Sequence, residues 1–229
     1  ISSAASDVYK RQEQWNDTER PTNVPPVFTW TPDPHKDVYG SLSEGGDQAS
    51  IDGLGVFPGQ MVEYNVELDV NIPENTAHGA QPVKSFAVED QYDPQFEPNR
   101  DSLEFYDTRT NRPIPRSNYT VKWNTDTHSF VVTFHDDWVA KNLKAGESGW
   151  LIMRFDGTVK DTAVGGTQVR NQAFEILNGA KTATEIPEVN IPNVEPHKED
   201  LNTDKQDIDG KTVVEGDIIL YRLSLIHIS

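Results

Sequence analysis

The 229-residue chain has no cysteine and only two methionines. Disulfides, thiolate metal ligands and cysteine nucleophiles are therefore excluded. Basic residues are scarce: 20 Lys and Arg stand against 37 Asp and Glu, a formal net charge of −17. Phosphate backbones and anionic lipid both require clustered Lys and Arg, so neither nucleic acid nor a membrane surface is an expected partner. No apolar run approaches the roughly 18–20 residues that span a bilayer. The six His show no HExxH or other zinc-ligand spacing, and no glycine-rich phosphate loop is present; Gly165-Gly166 reads as a turn. What the chain does have is nine Phe, seven Tyr and five Trp, enough aromatic surface for a core. Fifteen Pro and fifteen Gly cut it into short segments with few helical patterns, the pattern of an all-β protein of extracellular type.

Two terminal strings look foreign to the fold. Asp7-Val8-Tyr9-Lys10-Arg11-Gln12 reads back to GAT GTG TAT AAG AGA CAG, and Leu223 to Ser229 reads back to the reverse complement of that string. The string resembles a transposon end used to fragment DNA for sequencing, so 1–26 is taken as adapter-like scar and linker, and 223–229 as a second scar. Between them a repeat emerges. Pro34-His35-Lys36-Asp37 returns as Pro196-His197-Lys198-Glu199, and Ile51-Asp52-Gly53 as Ile208-Asp209-Gly210. Pro58 to Tyr64 is answered by Glu215 to Tyr221. Three blocks in one order indicate tandem units. One complete unit is expected over 27–191 and the opening strands of a second over 192–222. Proline-bearing joints precede each, which suits extended, semi-rigid beads on a stalk.

Within the complete unit the hydrophobic period is two. Val62, Tyr64, Val66 and Leu68 alternate with Glu63, Asn65, Glu67 and Asp69, as in a strand with one wet face. Phe86 and Val88 lead on the same parity to Asp90 and Tyr92, and Phe130, Val132 and Phe134 form a third strand. Trp150 to Phe155 is apolar on both parities, the mark of a central strand, and Val169 to Ile176 is another. Asp136 to Leu143 reads as a short helix with an acidic first turn. The expected fold is an immunoglobulin-like β-sandwich with one short helix, followed by a truncated second copy.

Three polar residues fall where such a sandwich should be apolar. Lys36 shares the parity of Val38, Asp90 ends the run of Phe86 and Val88, and Asn171 lies between Val169 and Ala173. A lone buried Lys or Asp costs several kcal/mol unless paired, so burial would force the three together. Parity alone also allows a surface Lys, a turn Asp and an edge Asn that never meet.

The blocks Pro-His-Lys36-Asp-Val, Val88-Glu-Asp90-Gln-Tyr92-Asp93 and Asn171-Gln-Ala-Phe-Glu-Ile resemble the signature strands of one adhesin family. These are the carboxy-terminal, SspB-like isopeptide-forming domains of streptococcal antigen I/II surface adhesins. The Ile-Asp-Gly, Pro-Gly and following Tyr segment fits as well, so the likeness runs from Lys36 to about Asn190. The resemblance implies a spontaneous Lys–Asn isopeptide bond: Lys36 as nucleophile, Asn171 as amide electrophile and Asp90 as catalytic acid. Asp93 is a second candidate acid, on the opposite parity. Lys198 matches Lys36 in the second copy and is expected to be unreacted. The chemistry needs a neutral amine, so desolvation must lower the Lys36 pKa and keep the acid protonated.

The same resemblance implies a structural stalk or adhesion repeat of a Gram-positive surface protein, attached to the cell wall. Its partners would be neighbouring repeats and, through the parent protein, a host or microbial receptor. It would not be an enzyme, since each chain reacts once on itself. Calcium is possible by resemblance only. Glu89, Asp93, Glu97 and Asp101 could offer oxygen ligands, as could the segment from Asp204 to Gly210, but each also reads as a solvated acidic face, and no cofactor is required. Asn118-Tyr-Thr120 matches a glycosylation acceptor. The competing class is a carbohydrate-binding β-sandwich module using Trp123, Trp138 or Trp150 as a stacking platform. A glycoside hydrolase is disfavoured, because no carboxylate pair stands out.

Overall fold

A computed structural model describes residues 12–15, 18–21, 29–41, 49–74 and 82–228. Residues 7–11 of the adapter-like string and residues 22–28 of the first proline-bearing joint lie outside the described residues. A small hairpin, β1 (Gln12–Trp15) and β2 (Thr18–Pro21), precedes the main body.

The alternating segments become strands because each can bury one face and wet the other. In β4 (Met61–Asp69) the buried residues include Val62, Tyr64, Val66 and Leu68, while Glu63, Asn65 and Glu67 remain partly or fully exposed. β4 lies between the edge strand β3 (His35–Gly40) and β11 (Trp150–Val159). On the other side of β11 come β6 (Phe96–Pro98) and β7 (Glu104–Asp107), with β8 (Arg112–Pro113) at the edge. This first six-stranded antiparallel sheet confirms the run from Trp150 as central. Gly157 of β11 permits a close approach there: a Cβ on it would fall 2.3 Å from the Phe96 ring and 2.4 Å from the Glu97 carbonyl.

The second six-stranded sheet follows the order β13 (Ala180–Ala183), β12 (Gln168–Leu177), β5 (Phe86–Tyr92), β10 (Ser129–Phe134) and β9 (Tyr119–Asn124). β14 (Glu188–Asn190) pairs with the start of β12. The short helix α1 (Asp136–Asn142) has Asp136 and Asp137 in its first turn and Lys141 in its last, complementing the helix dipole, and it buries Val139. One continuous core fills the space between the sheets, with Phe86, Phe96, Phe105, Phe130, Phe134 and Phe155 fully buried. Burying each such ring stabilises the fold by roughly 2–3 kcal/mol. The architecture is the two-sheet sandwich with one helix that the patterning predicts.

Beyond the body, β15 (Asn193–Leu201) pairs with β16 (Leu220–Ile228), and this hairpin reproduces β3–β4 in register. Lys36 faces Val66 and Val38 faces Tyr64; in the same way Lys198 faces Leu223 and Asp200 faces Tyr221. The turns match too. Ile51 N–H donates to the Val38 carbonyl at 2.9 Å and Ile208 N–H to the Asp200 carbonyl at 2.8 Å. Gly53 and Gly210 both take positive φ, 75° and 71°, as do Gly59 and Gly216 at 85° and 99°. Residues 223–228, set aside as a scar by their codons, are here extended and paired with 193–198. Their Leu, Ile and Ser content is compatible with a strand whatever its origin, and Leu223 stays 69% exposed.

Candidate functional site

Lys36 stands on β3, Asp90 on β5 and Asn171 on β12, so the first comes from one sheet and the other two from the opposite sheet. Period two turns all three into the core. β12 and β5 pair so that Ala173 faces Asp90 and Asn171 faces Tyr92, which sets Asn171 diagonally beside the acid. Lys36 Nζ donates to Asn171 Oδ1 at 2.7 Å and also to Asp90 Oδ2. The side chains of Lys36 and Asp90 have no solvent exposure, and Asn171 is 1% exposed. The Tyr64 and Phe155 rings flank the amine, with centroids 5.0 and 5.5 Å from Nζ.

This setting governs the protons. Burial pushes the Lys36 amine down from its usual value and the Asp90 carboxyl up, while their mutual attraction opposes both shifts. The pair therefore tends towards a neutral amine beside a neutral acid. Asp90 Oδ1 and Asn171 Nδ2 are both buried without a hydrogen-bond partner among the described residues. A nucleophile, an amide and an acid thus share one dry compartment. Asp93, the other candidate acid, lies outside it: its Oδ1 accepts the Gln95 N–H at 2.8 Å in the turn after β5.

Lys198 has a different setting. It is exposed, with Nζ 4.1 Å from the centroid of the Tyr221 ring. The acidic stretch disperses: Glu89 binds Lys181, Asp93 serves its turn and Glu97 lies near Lys160. Among the described residues no group of three or more His, Cys, Asp or Glu is gathered to hold a metal. No helix among them is long and apolar enough to cross a membrane. Trp123 packs on Phe130 at 4.4 Å, Trp138 on Phe134 at 4.6 Å and Trp150 against His35 at 5.8 Å, so each ring has its own neighbour.

Asp69 and Asp107 are buried at 6% and 4% exposure, and besides Asp90 the structure buries one more acid completely among the described residues: Glu175, at 0%, four residues beyond Asn171 on the same face of β12. Its Oε2 accepts the Asp69 N–H from the opposite sheet at 2.8 Å, while Oε1 has no partner. Burial pushes its carboxyl up to about 8. Parity with Asn171 and Ala173 would have flagged it. A carboxyl raised in the folded state binds its proton more tightly there, so stability should fall as pH rises from about 4.5 to about 8. Glu175→Gln mimics the protonated form. In an Asn171→Ala background it should gain on the order of 3–4 kcal/mol at pH 8 and almost nothing at pH 4. Denaturant titrations at the two pH values check this; an equal effect at both would remove the proposed titration.

A family profile described as the cell surface antigen I/II C2 terminal domain matches residues 34–190. The chain belongs to this family. The match runs from the residue before His35 to the end of β14, the same body that carries the Lys, Asp and Asn. Among solved structures, the C-terminal domain of the Streptococcus agalactiae antigen I/II polypeptide BspA is similar at TM-score 0.64 and 21% identity, over 83% of this chain and 60% of that one. The C-terminal domain of the Streptococcus pyogenes antigen I/II-family protein AspA is similar at TM-score 0.55 and 17% identity, over 76% of this chain and 51% of that one. A C-terminal fragment of the S. agalactiae major pilin GBS80 is similar at TM-score 0.53 and 14% identity, over 86% of this chain and 79% of that one. The chain thus spans about half to three fifths of the two antigen I/II structures, and at these identities the likeness is one of fold. No curated protein matches by sequence. The antigen I/II family is one of cell-surface adhesin domains and not an enzyme family.

Proposed function

We propose that this domain is a structural repeat of a wall-attached surface adhesin, locked by a spontaneous isopeptide bond between Lys36 and Asn171. The observation that carries the proposal is the 2.7 Å contact of Lys36 Nζ with Asn171 Oδ1 beside the buried Asp90 carboxyl. An ammonium has no lone pair for attack. Transfer of a proton from Lys36 to Asp90 leaves a neutral amine and a neutral acid, both favoured by burial. Nζ then attacks Cγ of Asn171 while Asp90 polarises the amide through a hydrogen bond. Asp90 gives its proton to Nδ2, which lets the Cγ–Nδ2 bond break and ammonia leave, and it takes a second proton back from Nζ. The balance is one new amide, one ammonia released and Asp90 restored. Folding supplies the effective concentration by holding the groups in contact.

The bond would join the two sheets across 135 residues of sequence, which suits a stalk under load in a chain without disulfides. We take the β15–β16 hairpin as the opening of a further tandem copy, on the strength of its identical register. Lys198 is exposed and has neither a buried acid nor an amide against it among the described residues, so it should remain unreacted. Receptor binding belongs to the parent protein.

Intact mass tests the central step. The wild-type chain should be lighter than its sequence by about 17 Da, the mass of one ammonia, and Lys36→Ala should show its full mass. A folded wild-type chain of full mass would sink the proposal.

A further inference from the structure

The strand bearing the nucleophile is an edge strand, and among the described residues only β4 pairs with it along its length. Its other side is bridged at Val38 and Tyr39 by Ile51 and Ser50, and at His35 and Lys36 it is held by the segment between β13 and β14. Thr184 N–H donates to the Ala173 carbonyl at 3.0 Å, and Ala173 N–H donates to Thr184 Oγ1 at 3.1 Å, which anchors the segment to β12. Two residues past Glu185, the Pro187 carbonyl accepts the N–H of Asn171 itself at 3.2 Å. From this anchored position Glu185 reaches across to β3. Its Oε2 accepts the backbone N–H of Lys36 at 3.1 Å and its Oε1 bonds His35 Nδ1 at 2.9 Å. The segment is therefore tied to the main chain of the electrophile on one side and of the nucleophile on the other. Outside it lies an open groove of about 380 Å³ whose lining includes His35, Lys36, Glu67, Glu185 and Pro187, while the Lys36 side chain itself has no exposure.

We infer that Glu185 is a positioning residue for the cross-link: by accepting the Lys36 N–H it holds the β3 edge against the Asn171 strand, so that amine and amide meet in a dry compartment. The inference rests on the Lys36–Asn171 reaction proposed above. The hairpin that repeats β3–β4 offers an internal comparison. There His197 Nε2 bonds Glu199 of its own strand at 3.2 Å, and Lys198 lies exposed.

Bond closure can be timed on the full chain by brief cell-free synthesis, arrest of translation and mass measurement at intervals. Glu185→Ala and Glu185→Leu, which lack the acceptor, should close the bond roughly ten- to a hundredfold more slowly than wild type, because a small misplacement of reacting groups costs rate steeply. Glu185→Gln keeps an oxygen for the Lys36 N–H and should close at nearly the wild-type rate. The same substitutions in an Asn171→Ala background, where no bond can form, should melt within a few degrees of that parent, which separates slow chemistry from failed folding; whichever of the Ala and Leu variants folds carries the test. A folded Ala or Leu variant that closes at the wild-type rate overturns the inference, as does a Gln variant as slow as Ala. A wild-type chain that never loses ammonia overturns the bond itself, a result distinct from both.

Discussion

An Asn171→Ala chain should melt about 10–20 °C below the wild type and be cut far faster by trypsin. A link between residues 135 apart removes on the order of 5 kcal/mol of unfolded-chain entropy. Each kcal/mol moves the midpoint of a domain of this size by about 2–4 °C. The choice of residue matters. Removing Lys36 would strand the Asp90 carboxyl in the core, and part of any loss would come from that orphan. Removing Asn171 leaves Lys36 and Asp90 to satisfy each other, so the loss reports the covalent link. Without a bond in the wild type, the same substitution deletes one hydrogen bond worth about 0.5–1.5 kcal/mol, and the midpoint moves only a few degrees. Calorimetry on both proteins decides between a large and a small shift.

Much of this site was legible because period two is a strict rule. Val38 and Val88 fix the inward face of two strands, and Lys36 and Asp90 inherit it. Val169 and Ala173 do the same for Asn171. That parity separated Asp90 from Asp93, and the structure places Asp93 in the turn beyond β5. The resemblance added what parity could not: that three inward polar residues on three strands meet. Other features left little trace. β6, β8 and β14 span only two or three residues, too few to show a period. The clamp from Thr184 to Pro187 holds β3 through the Glu185 carboxylate and β12 through Thr184 Oγ1 and backbone groups, and it lies between short strands where no hydrophobic period marks a Thr or a Glu. Glu175 was readable and overlooked, since it lies on the parity of Asn171. The hairpin of β15 and β16 shows the reverse: its first strand and turns were visible as a repeat, whereas the strand character of 223–228 was masked by its resemblance to a DNA adapter.

Asp90→Asn should leave a folded chain of full mass, with bond formation slowed by about a hundredfold to ten-thousandfold, the usual worth of a positioned proton donor and acceptor. Asn has nearly the shape of Asp and its oxygen can still accept from Lys36 Nζ, so the contact that orients the amine survives. Desolvation alone already lowers the Lys36 pKa, and deleting the neighbouring negative charge lowers it further, so the nucleophile remains neutral. What the variant lacks is a proton to pass to the departing nitrogen and a base to receive one from Nζ. Amide nitrogen leaves poorly unless protonated, and among the described residues no acid other than Asp90 makes a hydrogen bond to Lys36 Nζ. Asp93→Asn, altered only in the turn, should react as the wild type does. Mass measured over days at constant pH separates the cases. If Asp90→Asn loses its ammonia as fast as wild type, the carboxyl only packs against Lys36, and proton transfer must run through another group. If it stays at full mass while the Asp93 variant reacts, the same burial that makes this acid costly to the fold is what keeps its proton available for the reaction.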